Sequence, residues 1–307
     1  MYLDHFGIKQ YPFSLTPNTD FFCNLPGHQA ALNVLLFSLE TGEGFIKIIG
    51  EVGSGKTLLC RKLLDLLDEK YVSAYIPIPD LLSHEFRKVF ARELGLEVFD
   101  RNDQSDLNEL ILQQLLALRE QGKRVILIVD EAQALPDDTL ETIRLLTNLE
   151  TESEKLVQII LLGQPELDGR LKQHRFRQLT QRITFTHQLQ LLSRESLDDY
   201  LCHRLMKAGY QQAPLFKQGA TNLIYKFSRG VPRIVNILAH KSMLVAYGLG
   251  NNKITEQAVL RAIKDSPEVI VKVQNRRYYF LLFSTLLLLL IALSAKILSE
   301  HGYLIHI

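Results

Sequence analysis

Gly50-Glu51-Val52-Gly53-Ser54-Gly55-Lys56-Thr57 decides how the rest of the chain is read, because it fits the phosphate-binding pattern G-x-x-x-x-G-K-[ST] at every fixed position. The apolar run 45–49 leads in and Leu58-Leu59-Cys60-Arg61-Lys62-Leu63-Leu64 leads out, which predicts strand, loop, helix. Glycines at this spacing let successive backbone N–H groups turn toward a polyphosphate, and the helix beyond adds the positive end of its dipole. Lys56 is placed to neutralise the terminal phosphates. The Thr57 hydroxyl is placed to complete the shell of a Mg²⁺ ion bridging them. A Gly-rich turn that matched by accident would not require a strand before it and a helix after it, so ATP is expected on the stretch from Gly50 to Leu58.

The 307 residues are 47% hydrophobic and 22% charged, enough for one large or two modest globular domains with a sizeable core. A formal net charge of +1 gives no global electrostatic case for nucleic acid. Cys23, Cys60 and Cys202 are odd in number, far apart and without a C-x-x-C pair, so neither a disulfide framework nor a zinc site is expected. Met1-Tyr2-Leu3-Asp4-His5 lacks the basic and apolar regions of a signal peptide.

Working outward from the loop, Pro12 and Pro17 oppose a long helix near the start, and an ordered segment wrapping the core is expected. A helix is predicted over 28–39, ending at Thr41-Gly42-Glu43-Gly44. His28 at its start serves either to cap the turn or to meet the base edge of the nucleotide, and the cap is preferred. A strand over 72–76 is stopped by Pro77 and Pro79, with helices over 80–94 and 107–121. Arg124-Val125-Ile126-Leu127-Ile128-Val129-Asp130-Glu131 is then an apolar run closed by two carboxylates, the pattern of a strand buried on both faces. Asp130 at its end is expected beside Thr57, holding Mg²⁺ through water, with Glu131 orienting and deprotonating the attacking water. Alone, Asp-Glu after a strand is an ordinary solvated turn; behind a phosphate loop at this distance, hydrolysis is the better reading. A helix over 138–149 leads to a fourth buried strand over 157–162, and Gly163-Gln164-Pro165 brings Gln164 to the same sheet edge. Strands alternating with helices predict a doubly wound parallel α/β sheet with its site at the strand carboxyl ends. From Ser193 onward only helices are predicted. Ser193 caps one over 194–208 with Leu197, Tyr200, Leu201 and Leu205 on one face, and Pro232 starts another with Arg233 in its first turn.

With these motifs and Gly163-Gln164-Pro165-Glu166-Leu167, the chain resembles the P-loop AAA+ ATPases. The opening Phe6-Gly7, Pro12-Phe13, Thr16-Pro17 and His28 resembles more narrowly the general secretion pathway protein A (ExeA) group, nearest its MSHA pilus biogenesis branch, with similarity to about residue 265. The resemblance implies that Gln164 is the γ-phosphate sensor and that the helices after 190 form an all-helical lid. It places Arg182 at the arginine-finger position, completing a neighbouring subunit's site, with Arg177 as second candidate. Arg233 then reaches the nucleotide from the lid and couples lid closure to hydrolysis. One departure stands out: the group often carries an Asn before a Pro after the second strand, restraining the catalytic Glu, whereas here Ile78 precedes Pro79.

Residues 278–295 carry no charge, and the Leu, Ile and Phe residues among them each favour insertion by about 0.3 to 0.6 kcal/mol, so one transmembrane helix is expected over 278–298. Lys272, Arg276 and Arg277 before it predict a cytoplasmic ATPase and a periplasmic tail. The expected organisation is a wrapping segment (1–41), an ATPase core (42–190), a lid (191–268), a basic linker (269–277), the membrane helix (278–298) and a tail (299–307). That tail is expected to be too short for the periplasmic peptidoglycan-binding region of full-length ExeA proteins. The expected protein is thus a single-pass bacterial inner-membrane ATPase, Mg²⁺-dependent and homo-oligomeric, working with pilus or type II secretion assembly proteins. A DNA-associated ATPase of the transposition-regulator type is disfavoured by the near-neutral charge and the membrane helix. A nucleotide-sensing scaffold is disfavoured by intact Lys56, Asp130 and Glu131.

Overall fold

A computed structural model describes residues 2–77, 80–98, 104–152, 154–267 and 294. Strands β1 (Phe45–Ile49), β2 (Tyr71–Ile76), β3 (Arg124–Val129), β4 (Val157–Gly163) and β5 (Phe185–Gln188) pair in the order β2-β3-β4-β1-β5, all parallel. The three central strands are the apolar runs, because each must be buried on both faces. Ile46, Ile48, Ile126, Ile128, Ile160 and Leu162 meet the helices Pro26–Thr41 and Lys56–Leu66 on one side. Their alternates, including Ile49, Leu127, Val129, Ile159 and Leu161, meet Ser83–Glu93, Gln104–Glu120 and Asp137–Leu146 on the other. The expected doubly wound sheet is therefore present, and the loops leaving β1, β3 and β4 emerge together at one edge.

The fifth strand was absent from the sequence expectation. β5 is only four residues, Phe-Thr-His-Gln, on the sheet edge beside β1, and its residues alternate between half-buried and exposed. Such a strand leaves no apolar run to detect. Within β1 the buried Lys47 pairs with Asp168 at 2.5 Å, which ties the centre of the sheet to the helix Pro165–Leu171.

The helices Arg194–Lys207, Gln218–Ser228, Pro232–Gly248 and Glu256–Lys264 form a second lobe with its own apolar core. Ser193 caps the first of them by accepting the Ser196 N–H, and Leu197, Tyr200, Leu201 and Leu205 face inward, as expected. The N-terminal segment wraps this lobe: Tyr2, Phe6, Ile8, Phe13 and Phe21 are part of its core. The buried Arg204 fixes it there. Its guanidinium donates to the carbonyls of Pro12 (2.6 Å) and Ser14 (3.4 Å) and to the Tyr200 hydroxyl (3.0 Å), and lies 5.0 Å from the Phe21 ring centroid.

The expected single-pass inner-membrane placement is corrected. Among the described residues no helix is long and apolar enough to cross a membrane. The helices Gln104–Glu120 and Pro232–Gly248 have 17 residues each and carry charges, where a span needs about 20 predominantly apolar residues. The predicted span 278–298 lies outside the described residues, apart from Ser294, so no membrane topology is carried forward.

Candidate nucleotide-binding and hydrolysis site

The loop between β1 and the helix Lys56–Leu66 curls so that Lys56 turns back over it. Its ammonium donates to the carbonyls of Gly50 (2.9 Å) and Glu51 (3.2 Å). The side chain is buried, and burial pushes its pKa down against the opposing pull of Glu131, Asp130, Glu51 and Glu166. Among the described residues its hydrogen bonds go to neutral carbonyls, which leaves the ammonium available to a phosphate chain.

Thr57 follows on the first turn and its hydroxyl donates to Asp130 Oδ2 at 2.6 Å, so the end of β3 meets the phosphate loop as expected. Asp130 is buried, and burial raises its carboxyl pKa, opposed by the Thr57 hydroxyl and the Glu131 N–H. The Tyr75 hydroxyl from β2 approaches the same oxygen at 3.5 Å. A hydroxyl and a carboxylate side by side are oxygen donors suited to a hard cation that keeps several waters. The residues present fit Mg²⁺ at Thr57 and Asp130.

Glu131 stands just beyond the strand with φ 51° and ψ 37°, a left-handed conformation rare for a non-glycine residue. Gln164, which follows β4 and precedes the helix Pro165–Leu171, donates from Nε2 to Glu131 Oε2 at 2.8 Å. The structure thus brings Lys56, Thr57, Asp130, Glu131 and Gln164 together at the carboxyl ends of β1, β3 and β4. Gln133 was missed in the sequence: its Nε2 donates to the same Glu131 oxygen at 2.5 Å. Its only sequence signal is its place two residues after the carboxylate. Ile78 and Pro79 lie outside the described residues.

His28 is not a helix cap, because Leu25 holds that position without a side-chain bond. The imidazole is buried and its Nε2–H donates to the Ser54 carbonyl at 3.0 Å, bracing the loop from behind. Burial pushes its pKa below the usual histidine range. The helical lobe also meets the loop directly. Pro232 starts its helix, Arg233 N–H donates to the Gly53 carbonyl at 3.2 Å, and a Cβ on Gly53 would lie 2.7 Å from Arg233 Cβ. Val52 is exposed, while Ser54 is buried.

Arg182 sits at the opposite end of the sheet. It closes the helix Arg177–Arg182, and Thr184 N–H then bonds the carbonyl of Phe45, the first residue of β1. The phosphate loop leaves the other end of that strand, about 15 Å away at the usual rise per residue. Arg182 and Arg177 are both exposed.

A family model described as an AAA domain matches residues 39–171. General secretion pathway protein A of Aeromonas hydrophila is 39% identical over 262 residues, covering 83% of this chain and 46% of that protein. The chain belongs to the ExeA group of AAA+ proteins. It spans about half the length of that curated relative. Among solved structures, Cdc6p from Pyrobaculum aerophilum superimposes with a TM-score of 0.65 at 20% identity, covering 83% of this chain and 70% of that one. The Aeropyrum pernix ORC2 protein, in ADPNP–ADP complexes, gives 0.63 at 16% identity with 84% and 72% covered. The Thermotoga maritima RuvB Holliday junction branch migration motor gives 0.54 at 18% identity with 83% and 73% covered. At these identities the structural likeness shows the shared fold alone.

Proposed function

We propose that this chain binds ATP on the loop from Gly50 to Leu58 and hydrolyses it, with Glu131 as the base that takes the proton of the attacking water. The observation that carries the reading is the meeting of Thr57 with Asp130 at 2.6 Å and of Glu131 with Gln164 at 2.8 Å, at one sheet edge above a buried Lys56. Lys56 neutralises the terminal phosphates. Thr57 and Asp130 would hold Mg²⁺, which when bound withdraws charge from the phosphate oxygens. Gln164, bonded to Glu131 and placed at the start of the helix Pro165–Leu171, is the residue that would report cleavage to that helix. Arg233, carried on the lid over Gly53, is the group that would sense the nucleotide from that side.

Arg182 completes the site of an adjacent copy in a homo-oligomer, since its own loop lies beyond the length of β1. Hydrolysis then supports assembly of an envelope machine of the type II secretion or MSHA-type pilus class, a setting supported by the relationship to general secretion pathway protein A. The test is ATP turnover with and without Mg²⁺, beside nucleotide binding by Lys56→Ala. Magnesium-dependent turnover, lost together with ATP affinity in the variant, is expected; unchanged affinity in Lys56→Ala would remove the phosphate-loop assignment.

A further inference from the structure

Glu131 is held by more than the residue expected to sense phosphate. Its Oε2 accepts two amide donors, Gln133 Nε2 at 2.5 Å and Gln164 Nε2 at 2.8 Å. A carboxylate oxygen has two lone-pair sites, so these donors fill Oε2 and leave Oε1 to take a proton. Gln133 is itself fixed at both ends. Its Oε1 accepts the Gln164 backbone N–H at 2.9 Å, which determines that the amide nitrogen, not the oxygen, faces Glu131. Its backbone carbonyl accepts Arg170 Nη1 at 2.8 Å, and Arg170 Nη2 pairs with Asp137 at 2.6 Å. The left-handed backbone at Glu131 is a conformation that persists only where its surroundings over-determine it. The Glu131 backbone N–H donates to Asp130 Oδ1 at 2.9 Å and its carbonyl accepts the Ala134 N–H at 2.9 Å, while Gln133 and Gln164 hold its side chain.

We infer that Gln133 is a positioning residue for hydrolysis: it fixes the Glu131 carboxylate so that Oε1 addresses the attacking water. This rests on the proposed role of Glu131 as base. It also assigns the steadying of that carboxylate to a residue on the same turn, where the family pattern looks to an Asn after the second strand. Because the bonds of Gln133 go to Glu131, Gln164 and Arg170 and not to the phosphate loop, its loss should act on the rate of cleavage and not on affinity. Misplacing a reacting group by about 1 Å costs on the order of 10²-fold in rate.

The experiment compares Gln133→Ala and Gln133→Leu in the full chain, the second keeping side-chain volume without the donor. ATP turnover, ATP affinity by fluorescent-nucleotide displacement and the melting temperature are measured together, alone and in a Glu131→Gln background. Expected are losses in kcat of roughly 10- to 100-fold in both variants with ATP affinity within about threefold of wild type. The loss should disappear in the Glu131→Gln background, where no carboxylate remains to be positioned; a merely structural role would persist there. Turnover within about twofold of wild type, affinity falling in step with kcat, or an undiminished effect in the Glu131→Gln background would each overturn the inference. Wild-type turnover by Glu131→Gln alone would instead remove the base on which the inference rests.

Discussion

Replacing Gly53 with Ala tests whether the helical lobe lies against the phosphate loop. Gly53 has φ +78°, and an added Cβ would sit 2.7 Å from Arg233 Cβ and 3.3 Å from both Arg233 Cδ and Val231 Cγ1. Gly95 has φ +83° with nothing within 4 Å of its built Cβ, so Gly95→Ala serves as the control. Both variants bear the left-handed backbone cost of about 1–2 kcal/mol. Only Gly53→Ala must also push two side chains of that lobe aside, at about 1–3 kcal/mol for overpacking. Thermal unfolding reads the difference: at about 2–4 °C per kcal/mol for a chain of this size, Gly95→Ala should melt roughly 2–8 °C below wild type and Gly53→Ala roughly 4–20 °C below it. The two are compared in one buffer without nucleotide. If they melt together, Arg233 does not rest on the loop, and the placement of the helical lobe against it is wrong.

Arg204→Ala should lower stability by about 1–3 kcal/mol, because the buried guanidinium satisfies the Pro12 carbonyl and packs on Phe21; limited proteolysis should then cut before residue 25, and an unchanged digestion pattern would refute the anchoring role. Burial holds His28, His203 and His240 below the usual histidine pKa. The unfolded chain therefore binds more protons below about pH 6.5, and stability should fall as pH drops through that value. Denaturant titrations at pH 7.5 and 5.5 should show His28→Gln losing less than wild type, and equal losses would remove His28 from the effect. Mixing Lys56→Ala with Arg182→Ala subunits should create interfaces pairing an intact pocket with an intact arginine, restoring part of the 10³- to 10⁵-fold such groups contribute. Proven mixed oligomers without turnover would exclude Arg182 and leave Arg177.

The parts legible in the sequence are those in which one physical requirement leaves a local pattern. A strand buried on both faces needs the run 125–129, and a phosphate cradle needs glycines at fixed spacing before a lysine. The meeting of Thr57 with Asp130, and the arrival of Gln164 at the same sheet edge, followed from placing those patterns on one parallel sheet. What stayed hidden depends on contacts between distant segments. β5 is an edge strand whose identity comes from its register with Ile46–Ile49, not from its composition. His28 braces Ser54 across 26 positions, which no helix-start rule contains. Gln133 has meaning only once Gln164 is beside it. The opening segment was legible as ordered, but not as belonging to the helical lobe, because its aromatic residues find their partners some 200 positions away in Arg204 and Phe216.

The central claim is that Glu131 removes the proton from water attacking ATP held on the loop at Lys56. Its most direct measurement is ATP binding and single-turnover cleavage on the same sample of Glu131→Gln, which keeps the side chain's shape and abolishes its basicity. Retained ATP affinity with cleavage slowed by about 10²- to 10⁴-fold is expected. Cleavage within a few-fold of wild type at full ATP occupancy would contradict it.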